Sequence, residues 1–319
     1  MTSTVKSSWS IKRRRVATVA FALTAALVAA GCGSDDDSGD DPLAEDKADG
    51  SSVVVGSNNF AESILLADIY GEALKAKGIK VTYKPNIGSR ETTYGLLKNG
   101  TITVLPEYNG SLLAYLDPDA EQKSVEAVNA AVETKLDAKL TLLDSAPAED
   151  KDSVSINKET AEEHGLTGES TLADLKDIAP DLVIGGSPEF QTRHQGLIGL
   201  EKEYGLKFKS FKALDAGGPL TQAALTKNTV QAADIFTTDP TITKEGFVVL
   251  KDPKNLFGFA NVTPLVHEGD LSKEGIDALN AVSAKLDTKT LLDLDSQVQL
   301  ENKDPLDVAK AWLNSVGLD

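Results

Sequence analysis

Polar side chains gather just beyond several short apolar segments of the chain. Asn58 and Asn59 follow one such segment. Glu107 lies just beyond a second segment, and Thr238 and Asp239 follow a third. Ligands of open α/β sheets bind outside the carboxyl ends of the strands, where amide, hydroxyl and carboxylate groups of this kind can hold a small solute. We therefore take these five residues as candidates for a binding cleft.

The residues that could do other chemistry do not have the spacing of a catalytic or metal centre. His164, His194 and His267 are far apart and lack metal-ligand spacing. Neither a glycine-rich phosphate loop nor a nucleophile with its base can be recognised. The pattern favours binding without catalysis, a cofactor or a metal. A hydrolase or transferase on the same scaffold is the alternative, since one fold can host many chemistries.

The N-terminus has the pattern of an export signal. Basic residues at 12–15 precede an apolar run over 16–30, which is too short to span a bilayer comfortably. The run ends in small residues just before Cys32, the only cysteine in the sequence. This pattern resembles a bacterial lipobox. We predict a signal peptide over residues 1–31 and lipidation of Cys32, with an ordinary signal peptide and an incidental cysteine as the alternative.

An acidic stretch separates this signal from the rest of the chain. Residues 32–51 are rich in Asp, Gly and Ser and nearly free of large apolar side chains. Such a composition cannot bury enough surface to fold, so we predict a disordered tether. The formal net charge of −17 makes the chain a poor candidate for nucleic acid, which requires clustered Lys and Arg. We expect an extracytoplasmic monomer, anchored to the cell membrane by its lipid.

From residue 52 onward, short apolar strands alternate with helical periodicity. In the first half, strands are expected at 52–56, 79–84 and 102–105, with helices between them. The alternation restarts near residue 153. Three helical segments close the chain near 272–285, 288–300 and 305–314. Alternation of this kind predicts an α/β fold with mostly parallel, helix-covered sheets. Two such units predict two lobes.

Four segments carry recognisable motifs. They are VGSNNFAE at 55–62, LPEYNGS at 105–111, PEFQTR with its continuation at 188–208, and ADIFTTD at 233–239. In this order, and in register over about 53–318, they resemble the glycine betaine/choline/carnitine (osmoprotectant) solute-binding family. The resemblance implies a type II periplasmic-binding-protein fold, with a ligand cleft between the two lobes. It also implies a role as the substrate-binding protein of an ABC importer, with the permease subunits as partners.

The resemblance also implies how the chain is divided. One lobe would combine residues 52–153 with 262–319, and the other would be residues 154–261. Two crossover strands, near 153–156 and 262–266, would join them. Ligand binding would then close the lobes by a hinge motion.

The ligand implied by the resemblance is a quaternary ammonium solute of the glycine betaine or choline type. Such a cation has no hydrogen-bond donors and suits a cage of aromatic faces. By the resemblance, Tyr108 matches a cage tyrosine and Asp152 an acid beside the cage. Arg193 matches the residue that holds the ligand carboxylate in some members. Phe236 stands in a tyrosine position and keeps an aromatic face.

Two further tyrosine positions of the family lack an aromatic ring here. Val154 stands at one of them and Ala260 at the other, with the neighbouring Phe259 as the alternative if the loop is shifted. The departure leaves alternatives open for the function. The same fold could carry a different small solute, such as an amino acid derivative or an aromatic compound. A solute sensor without a transport role is a further alternative.

Overall fold

The computed structural model describes residues 52–120 and 122–319. The predicted signal peptide, Cys32 and the acidic tether lie outside the described residues. The strands are β1 Val53–Asn58, β2 Val81–Gly88, β3 Val104–Tyr108, β4 Leu140–Leu142, β5 Val154–Ile156, β6 Val183–Gly186, β7 Ser210–Ala213, β8 Ala232–Asp234, β9 Val248–Val249 and β10 Val262–His267. The helices are α1 Ala61–Ala76, α2 Arg90–Lys98, α3 Asn109–Leu116, α4 Val125–Lys135, α5 Lys158–His164, α6 Gly199–Tyr204, α7 Pro219–Thr226, α8 Thr241–Glu245, α9 Lys273–Ser283, α10 Thr288–Gln299 and α11 Pro305–Val316.

The strands form two mixed sheets of five strands each. The first sheet has the order β2-β1-β3-β10-β4, and the second has the order β7-β6-β8-β5-β9. In the first sheet β1 runs parallel to β2 and β3, whereas β10 runs antiparallel to β3 and β4. In the second sheet β6 runs parallel to β7 and β8, and β5 runs antiparallel to β8 and β9. Each sheet is therefore mainly parallel on one side and antiparallel on the other.

Helices cover both faces of the first sheet, and this explains why its strand segments are apolar runs in the sequence. Val53 and Val55 face a core layer built with α1, α9, α10 and α11. Val54 faces the opposite layer, which is built with α2, α3 and α4. Successive residues of a strand point to opposite faces, so a strand that is covered on both sides is apolar throughout. All six residues of β1 are buried.

Two neighbouring stretches of chain connect the sheets, one running from β4 to β5 and the other from β9 to β10. Glu149 and Asn261 form an antiparallel bridge between these stretches. The Asp150 N–H donates to the Ala260 carbonyl at 3.0 Å, and the Val262 N–H donates to the Ala148 carbonyl at 3.0 Å. The chain therefore leaves the first sheet and returns to it at the same place.

Strand β3 is longer than the sequence predicts. We expected it to end at Leu105, because Pro106 cannot donate to a sheet ladder. In the structure the strand continues to Tyr108, and Pro106 lies directly opposite Pro264 of β10. The two missing N–H groups thus fall at one register position. Glu107 and Tyr108 are therefore strand residues, whereas the sequence placed Glu107 beyond the strand.

Candidate functional site

A cavity lies where residues from both sheets meet. About 60 Å³ of it is accessible to the centres of water molecules. One water needs about 10–15 Å³ by this measure, so the cavity has room for roughly four to six waters or one small solute. Its lining consists of Asn58, Asn59, Phe60, Ser89, Arg90, Tyr108, Ser111, Asp150, Asp152, Ser187, Glu189, Arg193, Ala216, Asp234 and Phe236. Most of these residues lie at strand ends or helix starts, as expected for an α/β ligand site.

Three aromatic rings form a continuous surface on one side of the cavity. The ring centres of Phe60 and Phe236 are 5.0 Å apart, and those of Phe60 and Tyr108 are 6.0 Å apart. Tyr108 is buried at the end of β3, whereas Phe60 and Phe236 are half-buried. Phe60 precedes α1 and Phe236 follows β8, so the two sheets both contribute rings. The ring faces of such a surface can hold a cation.

Glu62 ties this aromatic surface to both sheets. The Tyr108 hydroxyl donates to Glu62 Oε1 at 2.5 Å, and the Thr238 hydroxyl donates to Glu62 Oε2 at 2.5 Å. Asp295 of α10 faces the same carboxyl, but neither of its oxygens makes a hydrogen bond of ordinary geometry. Burial, followed by repulsion from Asp295, raises the pKa of Glu62 well above its usual value. Burial raises the pKa of Asp295 from 3.8 to about 8. Burial therefore disfavours the charged form of both carboxyls.

Acidic side chains line the wall beside the rings. Burial and then repulsion from Glu62 raise the pKa of Asp150, although the Thr238 N–H donates to its Oδ1 at 3.1 Å. Burial and then repulsion from Asp152 raise the pKa of Asp234 well above its usual value. The protonated form of Asp234, which burial favours, can donate a hydrogen bond to Asp152. Burial also raises the pKa of Asp152, but less strongly, because Arg193 and Arg90 favour its ionised form.

Both arginines of the described residues line the cavity, and each is already paired with a glutamate. Arg90 Nε donates to Glu107 Oε1 at 2.9 Å and Arg90 Nη2 donates to Glu107 Oε2 at 2.9 Å, which makes a buried two-pronged ion pair. Arg193 Nη2 donates to Glu91 Oε2 at 2.8 Å, and its Nε donates to Glu91 Oε1 at 3.1 Å. Glu91 lies on α2 beside the first sheet, and Arg193 follows β6 of the second sheet. The second pair therefore spans the cleft.

A wider cavity adjoins the first along Asn59, Phe60 and Phe236. About 390 Å³ of it is accessible to the centres of water molecules, and Thr238 and Asp239 lie in its wall. The Asp239 carboxylate accepts from the Thr241 N–H at 2.8 Å, so it also shapes the turn into α8. Burial raises the pKa of Asp239.

The structure brings six of the nine sequence-predicted site residues to the first cavity: Asn58, Asn59, Tyr108, Asp152, Arg193 and Phe236. Thr238 and Asp239 line the adjoining cavity. Glu107 lines neither cavity, because Arg90 covers its buried carboxylate. Asn59 does not cap α1, since Phe60 is the capping residue and no side chain makes a cap bond there. The Asn58 side chain accepts from the Thr93 hydroxyl at 2.8 Å.

Several functional candidates were missed from the sequence. Phe60 belongs to the first motif, and as one of few aromatic residues it was a recognisable signal. Asp234 likewise belongs to the motif at 233–239. Asp150 and Glu91 had no such signal, because only folding brings them to the cleft. Val154 lies in the core of the second sheet, so a larger ring there would displace packed neighbours rather than face the solute. Ala260 is likewise fully buried.

No group of acidic or histidine side chains that could hold a metal ion is found in residues 52–120 and 122–319. None of the helices in these residues is long and apolar enough to span a membrane.

Two α/β units around a shared cleft, with an aromatic and acidic lining, define a two-lobed solute-binding protein. Residues 51–315 match the family described as the substrate-binding domain of the ABC-type glycine betaine transport system. The chain belongs to this family, whose members are solute-binding proteins of ABC transporters and not enzymes. Such proteins act outside the cytoplasm. The family resemblance predicted from the motifs is confirmed.

Individual relatives agree with this assignment. The chain is 29% identical to the glycine betaine-binding protein YehZ of Escherichia coli (strain K12), over 84% of this chain and 91% of the relative. It is 25% identical to the ergothioneine transport permease/ergothioneine binding protein EgtU of Helicobacter pylori (strain G27), over 83% of this chain and 48% of the relative. A crystal structure titled as a glycine betaine/carnitine/choline ABC transporter matches with a TM-score of 0.66 at 24% identity, over 84% of this chain and 99% of that chain. This match confirms the predicted two-lobed α/β fold.

Proposed function

We propose that the chain captures a quaternary ammonium solute in the cavity between its two sheets. The observation that supports this most directly is the surface of Phe60, Tyr108 and Phe236 beside an acidic wall. Aromatic faces attract a cation through their quadrupole, and carboxylates attract it through their charge. The named ligands of the relatives, glycine betaine among them, are of this kind.

The energetics are compatible with a micromolar site. Binding at that level requires about 8 kcal/mol in all. Each ring contributes about 0.5–2 kcal/mol of cation–π attraction, so three rings supply part of this total. Burial of the methyl groups against the rings and the charge of Asp152 supply the remainder.

Isothermal titration of the purified protein tests this proposal. The panel contains glycine betaine, choline and carnitine, with proline as a solute that lacks a quaternary nitrogen. We expect a quaternary amine to bind at micromolar concentration, and we expect Phe236→Ala to weaken its binding about two- to thirtyfold through the loss of one aromatic face. The absence of heat with every quaternary amine would refute the proposal.

We further propose that the chain delivers its solute to an ABC permease while tethered by a lipid on Cys32. The small residues before this lone cysteine support the anchor. We assign residues 52–153 and 262–319 to one lobe and 154–261 to the other, and we propose that the protein is a monomer. Mass spectrometry of the membrane-bound protein should find a diacylglycerol adduct on Cys32. Its absence, or cleavage elsewhere, would exclude the anchor.

A different solute is the second candidate. The buried carboxyls of Asp152 and Asp234 favour it, because a ligand with N–H groups could donate to them. The relative named for ergothioneine shows that this class includes solutes other than glycine betaine. Ergothioneine therefore belongs in the titration panel. Binding of ergothioneine, without binding of the simple quaternary amines, would favour this candidate.

A further inference from the structure

The contacts of Arg193 indicate which kind of cation the cleft accepts, and this inference rests on the proposed function. Glycine betaine carries a carboxylate as well as its ammonium group, whereas choline carries a neutral hydroxyl instead. A carboxylate requires an arginine or free N–H donors for strong binding. The described residues contain two arginines, and both line the cavity.

Each arginine already has a carboxylate paired with the Nε side of its guanidinium. Arg90 is buried and makes its two-pronged contact with Glu107, whose carboxylate is fully buried. Separating this pair would leave an uncompensated charge in the interior, which is strongly unfavourable. The guanidinium of Arg193 is covered by Glu91 through three hydrogen bonds of 2.8–3.1 Å.

Glu91 occupies the side of Arg193 that could otherwise pair with a solute carboxylate, although Glu91 itself does not line the cavity. Besides Arg193, the Ser89 hydroxyl and the Glu91 N–H at the start of α2 stabilise its charged form. These are the donors that a solute carboxylate would use at a helix N-terminus. Although burial opposes ionisation, the contacts with Arg193 and Ser89 lower the pKa of Glu91 to about 2.

Apart from the two arginines, the wall offers no positive charge to a negative group. Asp150, Asp152, Asp234 and Glu189 all line the same cavity, and none of its lining residues is a lysine. A solute carboxylate would have to displace Glu91 and also approach Asp152, which lies within electrostatic reach of Arg193. A cation without a carboxylate meets neither obstacle.

We propose that Glu91 is a built-in carboxylate that occupies Arg193 and makes the cleft selective for a cation without a carboxylate, such as choline, over zwitterionic glycine betaine. Glu91 is thus a specificity-determining residue on α2. The charge-assisted contacts that glycine betaine forgoes correspond to roughly a tenfold difference in affinity.

Titration calorimetry with choline and glycine betaine tests the proposal, because both solutes share the trimethylammonium head. The wild-type protein should bind choline about tenfold more tightly than glycine betaine. Glu91→Gln frees Arg193, so it should strengthen glycine betaine binding, weaken choline binding and bring the ratio close to one. Glu91 is exposed, so this variant should fold. Glu133→Gln on the exposed face of α4 removes the same charge far from the cleft and should leave the ratio unchanged.

The possible outcomes distinguish a failure of the selectivity from a failure of the proposed function. Wild-type binding of glycine betaine at least as tight as that of choline overturns the selectivity while the proposed function stands. A preference for choline that Glu91→Gln does not change overturns the role of Glu91. No binding of either solute overturns the selectivity, and no binding of any quaternary amine in the panel overturns the proposed function as well.

Discussion

Replacing Asp295 by Asn should stabilise the protein at neutral and alkaline pH. Asp295 is fully buried on α10 and faces Glu62, with Asp150 and Asp239 also close enough to repel its charge. Burial is the main cause that raises its pKa from 3.8 to about 8. Between these two values the folded chain holds a proton that the unfolded chain has released. The free energy of unfolding must therefore fall as the pH rises through this window.

The magnitude follows from the width of the window. One proton contributes about 1.4 kcal/mol per pH unit. At pH 7, Asp295 therefore lowers the free energy of unfolding by about 4 kcal/mol relative to a neutral group of the same shape. Partial relaxation of the structure around the charge makes this an upper value. Asn keeps the shape, carries no charge and can donate to Glu62. For a chain of this size the gain corresponds to roughly 10 °C in melting temperature.

The assay is thermal unfolding of wild type and Asp295→Asn from pH 5 to pH 8. The gap between the two melting temperatures should be small at pH 5 and widen steadily up to pH 8. Asp293→Asn, on the exposed side of the same helix, should follow the wild type at every pH. A gap that does not depend on pH, or a variant that is less stable at pH 8, would refute the reasoning.

Three further substitutions probe other parts of the structure. Arg90→Ala should lower the free energy of unfolding in urea by about 3–5 kcal/mol, because it leaves Glu107 as an unpaired buried charge. An effect below about 1 kcal/mol would show that water reaches that carboxylate. Gly110→Ala should abolish or strongly impair folding, judged by circular dichroism, since its Cβ would lie 1.5 Å from the Phe259 carbonyl oxygen. The control is Gly95→Ala in the middle of α2, where a Cβ meets no atom within 4 Å and should add about 0.5–1 kcal/mol. Tyr108→Phe keeps the ring but removes the donor to Glu62, so it should lower stability by about 1–3 kcal/mol in the same urea assay; unchanged stability would mean that another donor replaces the hydroxyl.

Local patterns of the sequence predict much of the fold, because they depend only on residues that are close together in the chain. The helical periodicity of α1 and the β-branched run of β1 are examples, and both elements are present where expected. The spacing of Thr171 and Asp174 is typical of a capping box, and one is present, with Asp174 accepting from the Thr171 N–H at 2.7 Å. Boundaries were less predictable. The helical pattern of the sequence continues to Lys139, but helix α4 ends at Lys135, and Leu136 already has an extended backbone conformation.

The charged half of the site could not be predicted, because its pairs are distant in sequence. Nothing near Glu62 indicates that Asp295 will face it, and Arg193 gives no sign that Glu91 will cover it. The sequence indicates that Arg193 and Glu107 are polar residues near strand ends, but only the folded chain decides which partner each one meets. Motif resemblance thus identified the aromatic surface better than the ion pairs around it.

The position of β10 has a consequence for the order in which the chain can fold. This strand lies between β3 and β4, yet it is formed from residues near the end of the sequence. Until it arrives, β3 and β4 each leave an edge unpaired, whereas β5–β9 are contiguous and can assemble earlier. Unpaired edges invite pairing with other chains. The first sheet therefore depends on a segment that is synthesised after all of β1–β9, and truncation before Val262 should produce an aggregating chain rather than a smaller folded one.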